Sequence, residues 1–197
     1  DIDGENLNDS FGGIETLDIS SDGLTLIVGA PNNTSNSGHA RVFEWRQYTS
    51  ADSTTYPLII TGGSDPVNGT YYWTQKGFDI DGESTNKSSR TAMNDDGTII
   101  AIGGDSHTRL FKWRRYTSAD NNTFYYGSVD QNDTQTKQLI ITGSFSTQPQ
   151  YDQYYWTQIG ADSDLEGESL SVSLSDDGKL VTVGAYNDNN TKVYELL

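Results

Sequence analysis

The feature that most narrows what this chain can become is an internal repeat: the sequence lays over itself in about two and a half copies of one unit. The first landmark, Asp1-Ile-Asp-Gly-Glu5, returns as Asp79-Ile-Asp-Gly-Glu83 and, in degenerate form, as Asp162-Ser-Asp-Leu-Glu-Gly-Glu168. The second is an acidic turn, Ser21-Asp22-Gly23, Asp95-Asp96-Gly97 and Asp176-Asp177-Gly178. An Asp-Gly between apolar runs marks a tight hairpin, because Gly accepts the positive φ that the turn demands. Repeats of this kind cannot bury their faces alone and must pack on their neighbours. The repeats are drawn as 1–78, 79–161 and a truncated 162–197, packed as one continuous β domain.

Before each turn the apolar residues alternate: Leu17 and Ile19, Thr91 and Met93, Val172 and Leu174. That period of two describes a half-buried strand. After the turn, Leu26-Ile27-Val28-Gly29, Ile100-Ala101-Ile102-Gly103 and Val181-Thr182-Val183-Gly184 are apolar or small on both faces, as in a strand inside a stack. A third strand follows, Arg41-Val-Phe-Glu-Trp45, Arg109-Leu-Phe-Lys-Trp113 and Lys192-Val-Tyr-Glu-Leu196. The first two copies then run through Tyr48-Thr-Ser-Ala-Asp52 and Tyr116-Thr-Ser-Ala-Asp120, and close on Tyr71-Tyr-Trp-Thr-Gln75 and Tyr154-Tyr-Trp-Thr-Gln158. No stretch carries a capped 3.6-residue apolar stripe, so the expected fold is all-β: tandem antiparallel four-stranded blades, with an extra strand pair inserted at about 47–70 and 115–153.

Composition narrows the chemistry. With no Cys, disulfides, thiolate metal sites and cysteine nucleophiles are excluded. A net charge of −16 argues against nucleic acid and anionic membranes as partners, since both require a positive surface. Cations and neutral polymers such as glycans stay open as partners. No apolar run reaches the roughly 18–20 residues that span a bilayer, so no membrane span is expected.

Asn-x-Ser/Thr sequons occur at Asn8, Asn32, Asn33, Asn68, Asn86, Asn121, Asn132 and Asn189, eight of the 14 asparagines. With 43 Ser and Thr in 197 residues, random placement gives about three, so the excess points to N-linked glycans and a secretory route. The chain begins at Asp1 without a charged and apolar leader, which fits a processed mature chain or an excerpt from a longer one, and the sequons favour the mature part of a secreted, extracellular protein.

Taken in order, DIDGE, S-x-DG, an apolar strand ending in Gly-Ala, RVFEW and YWTQ-x-G resemble the tandem repeats of large secreted surface proteins, in the style of FG-GAP and kelch-like β-propeller blades. The resemblance implies four-stranded antiparallel blades around an axis. A ring typically needs at least four blades, and this chain supplies at most three, the last without an outer strand. Exposed strand edges are then expected to be covered by copies of the same chain, head-to-tail or in a shared ring.

Three constellations invite a chemical reading. Asp162, Asp164 and Glu166 open a D-x-D-x-E-G run similar to calcium loops in metal-binding FG-GAP blades, although the closing Glu of a complete loop is missing. The competing reading is a solvated turn. His39 and His107 stand two residues before Arg41 and Arg109, and their equivalence places them a blade apart, which disfavours a shared zinc site. Trp45, Trp73, Trp113 and Trp156, with Tyr71, Tyr72, Tyr154 and Tyr155, suit cross-strand packing first and sugar stacking second. No Ser-His-Asp ordering or phosphate-cradling Gly loop stands out, and an enzyme is not expected. The sequence reads as a secreted, N-glycosylated structural protein of an extracellular surface, matrix or filament that self-assembles through open strand edges and requires no cofactor. The alternative is a glycan-binding lectin or adhesin module, with calcium assisting.

Overall fold

The computed structural model describes residues 1–32, 37–52, 65–83, 90–105, 107–120, 124–128, 138–144, 146–160, 169–185 and 189–196. The protein is all-β, and among the described residues the strands form three sheets, none of them closed into a barrel. The first sheet runs β1 (Leu17–Ile19), β2 (Thr25–Ala30), β3 (His39–Gln47), β4 (Tyr71–Gln75), and the short β5 (Ile80–Asp81) also pairs with β3. The second runs β6 (Arg90–Met93), β7 (Ile99–Gly103), β8 (Thr108–Arg115) and β11 (Tyr154–Ile159), then β10 (Gln138–Ile141) and β9 (Phe124–Gly127). The third contains β12 (Ser169–Leu174), β13 (Leu180–Ala185) and β14 (Asn190–Glu195).

The strands expected from the repeat pair antiparallel in matching register, for example Ile19 with Leu26, Met93 with Ile100 and Leu174 with Val181. The turns differ in detail from a two-residue hairpin. Ser20 N–H donates to Thr25 O at 2.8 Å and leaves four residues in the loop. The cause is side-chain chemistry: Asp22 accepts from Ser20 Oγ and Leu24 N–H, and Ser20 Oγ accepts from Thr25 N–H, so side-chain oxygens hold the longer loop. Ser175 and Asp177 repeat the arrangement. Gly23, Gly97 and Gly178 supply φ of 71°, 65° and 68°.

The inserted pair of the second repeat lies at the outer rim of its sheet, beyond β11, and β9 pairs with β10 in parallel. Leu139 and Ile141 of β10 are buried there. Residues 53–64, the corresponding part of the first insertion, lie outside the described residues.

The blades lie face to face. Alternation along each strand sends Ile27, Ala40 and Val42 of the first sheet, with Ile80, against Met93, Ile100, Ile102, Phe111 and Trp156 of the second. The opposite face of the second sheet sends Ala92, Ala101 and Leu110 against Val181 and Val183 of the third. Contact between sheets is made chiefly at the inner strands, by β1 and β2 on β6 and by β12 on β6 and β7. The acidic turns are stitched in a row: Ser21 N–H donates to Asp95 O at 2.9 Å, and Asp95 N–H donates to Asp176 O at 3.1 Å. Among the described residues no helix is long and apolar enough to cross a membrane.

Candidate functional site

A dense polar cluster is built from the DIDGE motif on the face of β3 opposite Ala40 and Val42. Arg41, on β3 and only 4% exposed, aims its guanidinium at three carboxylate oxygens. Nε donates to Asp79 Oδ1 at 2.9 Å, Nη2 donates to Asp79 Oδ2 at 3.1 Å, and Nη2 also donates to Glu5 Oε1. Gln75 Nε2 adds a bond to Asp79 Oδ1 at 2.6 Å. The first Asp of one DIDGE and the Glu of the preceding one therefore clamp a single arginine, charge-assisted and bidentate on Asp79.

The Arg109 cluster, which joins the second sheet to β5 across the first seam, shows the same logic. Arg109, 1% exposed, lies 3.6 Å from Glu83 Oε1 and donates to Asp81 O at 2.6 Å. His107 Nε2 stands 3.6 Å from Glu83 Oε2. Burial pushes the Glu83 carboxyl up, but the His107 hydrogen bond and the Arg109 charge outweigh it and hold the group below its ordinary value. By repeat equivalence, Asp162 corresponds to Asp79. Asp162, Asp164 and Glu166 lie outside the described residues.

Glu5, His39 and Asp79 each bring one ligand atom within 4.8 Å of the others, a donor set of the kind that holds a divalent cation. Here both carboxylates already face the Arg41 guanidinium. Burial, the largest influence on His39, lowers its pKa and favours the neutral ring. The local positive charge is supplied by the chain itself, so the cluster is read as an ion-pair latch. His39 stands in the Arg41 cluster and His107 in the Arg109 cluster, so each ring has a different set of carboxylate neighbours.

Beside this latch is a cavity of about 270 Å³ bordered by Phe78, Asp79, Asp81, Ser128 and Gly143. Burial, then the Asp79 charge, raises the Asp81 carboxyl to about 6. A second carboxylate close to a raised one is a pattern that acid–base chemistry uses. Arg41 and the Asp81 backbone, however, are already engaged by the bonds described above.

The other repeated motifs resolve in the same way. In Tyr-Thr-Ser-Ala-Asp, Asp52 accepts from Thr49 N–H and Oγ at 2.7 and 2.8 Å and from Arg46 Nη2 at 2.7 Å. Asp120 does the same with Thr117 and Arg114. The Arg46 hydrogen bond holds the Asp52 carboxyl down to about 2. Sequence reasoning missed this clamp, although the Arg six residues before each Asp was a visible signal. The tryptophans form matched pairs, Trp45–Trp73 at 5.7 Å and Trp113–Trp156 at 5.2 Å, with Tyr71 stacked on Trp45 and Tyr154 on Trp113.

The second pair is a receptor for the first blade. Trp156, fully buried, donates Nε1–H to Lys76 O at 2.8 Å, and the Lys76 ammonium lies 5.7 Å from both indole rings. A Cβ on Gly77 would stand 2.8 Å from the Trp156 ring, so this approach needs glycine. Among the described residues the first pair has no such cover: Trp45 is 41% exposed and Tyr71 52%.

Of the sequon asparagines, Asn8, Asn32, Asn68 and Asn189 are exposed. Asn33, Asn86, Asn121 and Asn132 lie outside the described residues.

No protein-family model matches this chain, and no curated protein matches it. Among solved structures, a chain of Kuenenia stuttgartiensis hydrazine synthase is similar over 91% of this chain and 44% of its own, at 15% identity and a TM-score of 0.39. This chain thus spans less than half of that protein's length, and a likeness at that score bears on neither its fold nor its chemistry.

Proposed function

We propose that this chain is a secreted, N-glycosylated structural protein of an extracellular surface, matrix or filament, which stacks its own blades and assembles with copies of itself. The observation that carries the reading is where the repeated polar residues go. The DIDGE acids, the buried arginines, the acidic turns and the Tyr-Thr-Ser-Ala-Asp clamps make their hydrogen bonds to one another within and across the seams. Such expenditure suits a building unit rather than a catalyst, and in this reading the chain is not an enzyme and requires no cofactor. Exposure of Asn8, Asn32, Asn68 and Asn189 supports glycan attachment, because a transferred glycan needs an accessible amide. The outer side of β14 has no strand partner among the described residues, which supports assembly at that end.

The test is the mass of material from a eukaryotic secretory host, before and after enzymatic removal of N-glycans, together with electron microscopy of the same sample. Mass loss at several sequons and regular assemblies are expected. Unglycosylated, monodisperse monomers would overturn the reading.

A second reading, a glycan-binding module, is favoured by one observation: the exposed, stacked Trp45–Tyr71 pair, with centroids 6.2 Å apart, is a flat surface on which a sugar ring can lie. Calcium assistance at Asp162, Asp164 and Glu166 belongs to that reading. Saturable binding to immobilised glycans, lost on Trp45→Ala and sensitive to chelation, is its expected outcome.

A further inference from the structure

The two internal seams are variations on one contact, and the chain exposes one half of that contact at each end. In the first seam the turn glycine of the second blade, Gly97, lies against Thr25 of the first; a Cβ there would stand 2.7 Å from the Thr25 side chain. In the second seam Gly178 lies against Ile99, with a corresponding distance of 2.6 Å. Thr25, Ile99 and Leu180 occupy the same repeat position, as do Gly23, Gly97 and Gly178. Gly23 faces open space, with nothing within 4 Å, and Leu180 is 44% exposed.

The same pairing of open halves recurs at other places on these faces. Met93, 7% exposed in the first seam, corresponds to Ile19, which is 52% exposed on the front of the first blade. Leu110, 2% exposed in the second seam, corresponds to Val193, which is 63% exposed on the back of the third. The Asp95 N–H that meets Asp176 O corresponds to the Asp176 N–H, whose counterpart acceptor would be Ser21 O. At the start of β3, Ile80 and Asp81 pair with Ala40 and His39. The equivalent place on β14 borders an open groove of about 570 Å³ lined by Glu15, Gly184, Asn189, Asn190 and Thr191. The equivalents of Ile80 and Asp81 are Ile2 and Asp3.

We infer that the back face of the third blade docks on the front face of the first blade of a second copy, reproducing the internal seam with Leu180 over Gly23 and Ile2–Asp3 alongside the start of β14. This rests on the self-assembly reading above and replaces its edge contact with a face contact. The occupant is a second copy because the front face carries the positions that receive a blade of this repeat, and the back face carries those that such a blade presents. The N-terminal segment does not close the front face: Phe11 packs on Phe43, 6.4 Å between centroids, while Leu17, Ile19, Leu24 and Trp45 stay exposed. The contact joins two different surfaces, so it is heterologous and continues head-to-tail until a ring closes.

Sedimentation velocity on the glycosylated chain over a concentration series tests this, comparing the unaltered protein with Ile19→Lys and Leu180→Glu. Both positions are exposed, so each variant is expected to keep its unfolding midpoint and to sediment as a monomer where the unaltered chain associates. Mixed in equal amounts, the two variants each retain one intact face and should form dimers that grow no further. A second measurement exploits the absence of cysteine: Ser21→Cys with Asp176→Cys in one chain should give intermolecular disulfides on mild oxidation. Within a copy those two residues are separated by Asp95, so the link joins copies. Association that survives both charge substitutions, without cross-linking, would overturn face docking while leaving self-assembly standing. An unaltered chain that stays monomeric at about 100 μM would overturn both.

Discussion

At the residue scale the weight of this molecule falls on two buried arginines. Arg41 has nearly all of its surface covered, and its guanidinium satisfies Glu5 and Asp79 from two successive repeats. Removing one partner of such a group leaves the others desolvated and uncompensated, which costs more than the pair contributes. Arg41→Met should therefore lower stability by about 3 kcal/mol in denaturant titration. Arg46→Met, at a clamp whose arginine is only half-buried, should cost less, about 1 kcal/mol. Asp81 offers a test of opposite sign. Its carboxyl titrates near 6 in the folded chain and near 3.8 when exposed, so the folded state holds the proton more tightly. Its contribution is thus fully present below about pH 4 and is lost as pH rises through about 6. Asp81→Asn should remove that loss, raising stability at pH 7–8 relative to the unaltered chain by up to about 3 kcal/mol and having little effect at pH 4. Thermal unfolding at the two pH values reads the difference, and an equal effect at both would contradict it.

At the scale of elements, the repeat makes its own controls, since equivalent residues meet a neighbour in one seam and solvent in another. Trp156 loses both burial and its bond to Lys76 O on mutation to Phe, a cost of about 2–3 kcal/mol. Trp73→Phe alters the matching tryptophan on the uncovered front face and should cost less than about 1 kcal/mol in the monomer. Gly97→Ala and Gly23→Ala make the same comparison for the turns. Both replace a glycine at positive φ, worth about 1 kcal/mol, but only Gly97 also has Thr25 against it. A larger loss at position 97 in equilibrium unfolding is expected, and equal losses would mean that the seam yields.

These contrasts also show what could be read from the residues alone. The strands and the lack of a long helix among the described residues followed from periodicity, whereas the four-residue loop around Asp-Gly did not, because it is held by the Ser20 and Asp22 side chains. Which strand face meets which blade was hidden, since the repeats are apolar on both sides after the turn. The Arg41 latch was hidden for a different reason. Its acids lie 36 and 38 residues away and belong to two copies, so no local pattern joins them. The parallel pairing of β9 with β10 at the rim carries no signature in spacing at all.

At the scale of the whole molecule, charge opposes the apolar logic of the seams. Each copy carries a net −16, so bringing two copies into contact concentrates like charge that the internal seam partly offsets with Lys76 and Arg109. At the proposed copy-to-copy seam the corresponding back-face positions hold fewer cations, Lys179 being paired with Asp177 on the surface. Long-range repulsion between exposed charges is screened over about 10 Å at 0.1 M salt and over about 30 Å at 0.01 M. The apolar contacts of Leu180, Val193 and Ile19 are not weakened by salt. Association should therefore strengthen as ionic strength rises from about 0.01 to 0.15 M, with the apparent dissociation constant falling by an order of magnitude or more. Sedimentation or light scattering at the two salt concentrations reads the change directly. Association that weakened with added salt would instead point to a contact held by complementary charges, and the open blade faces would then not be the surfaces that join.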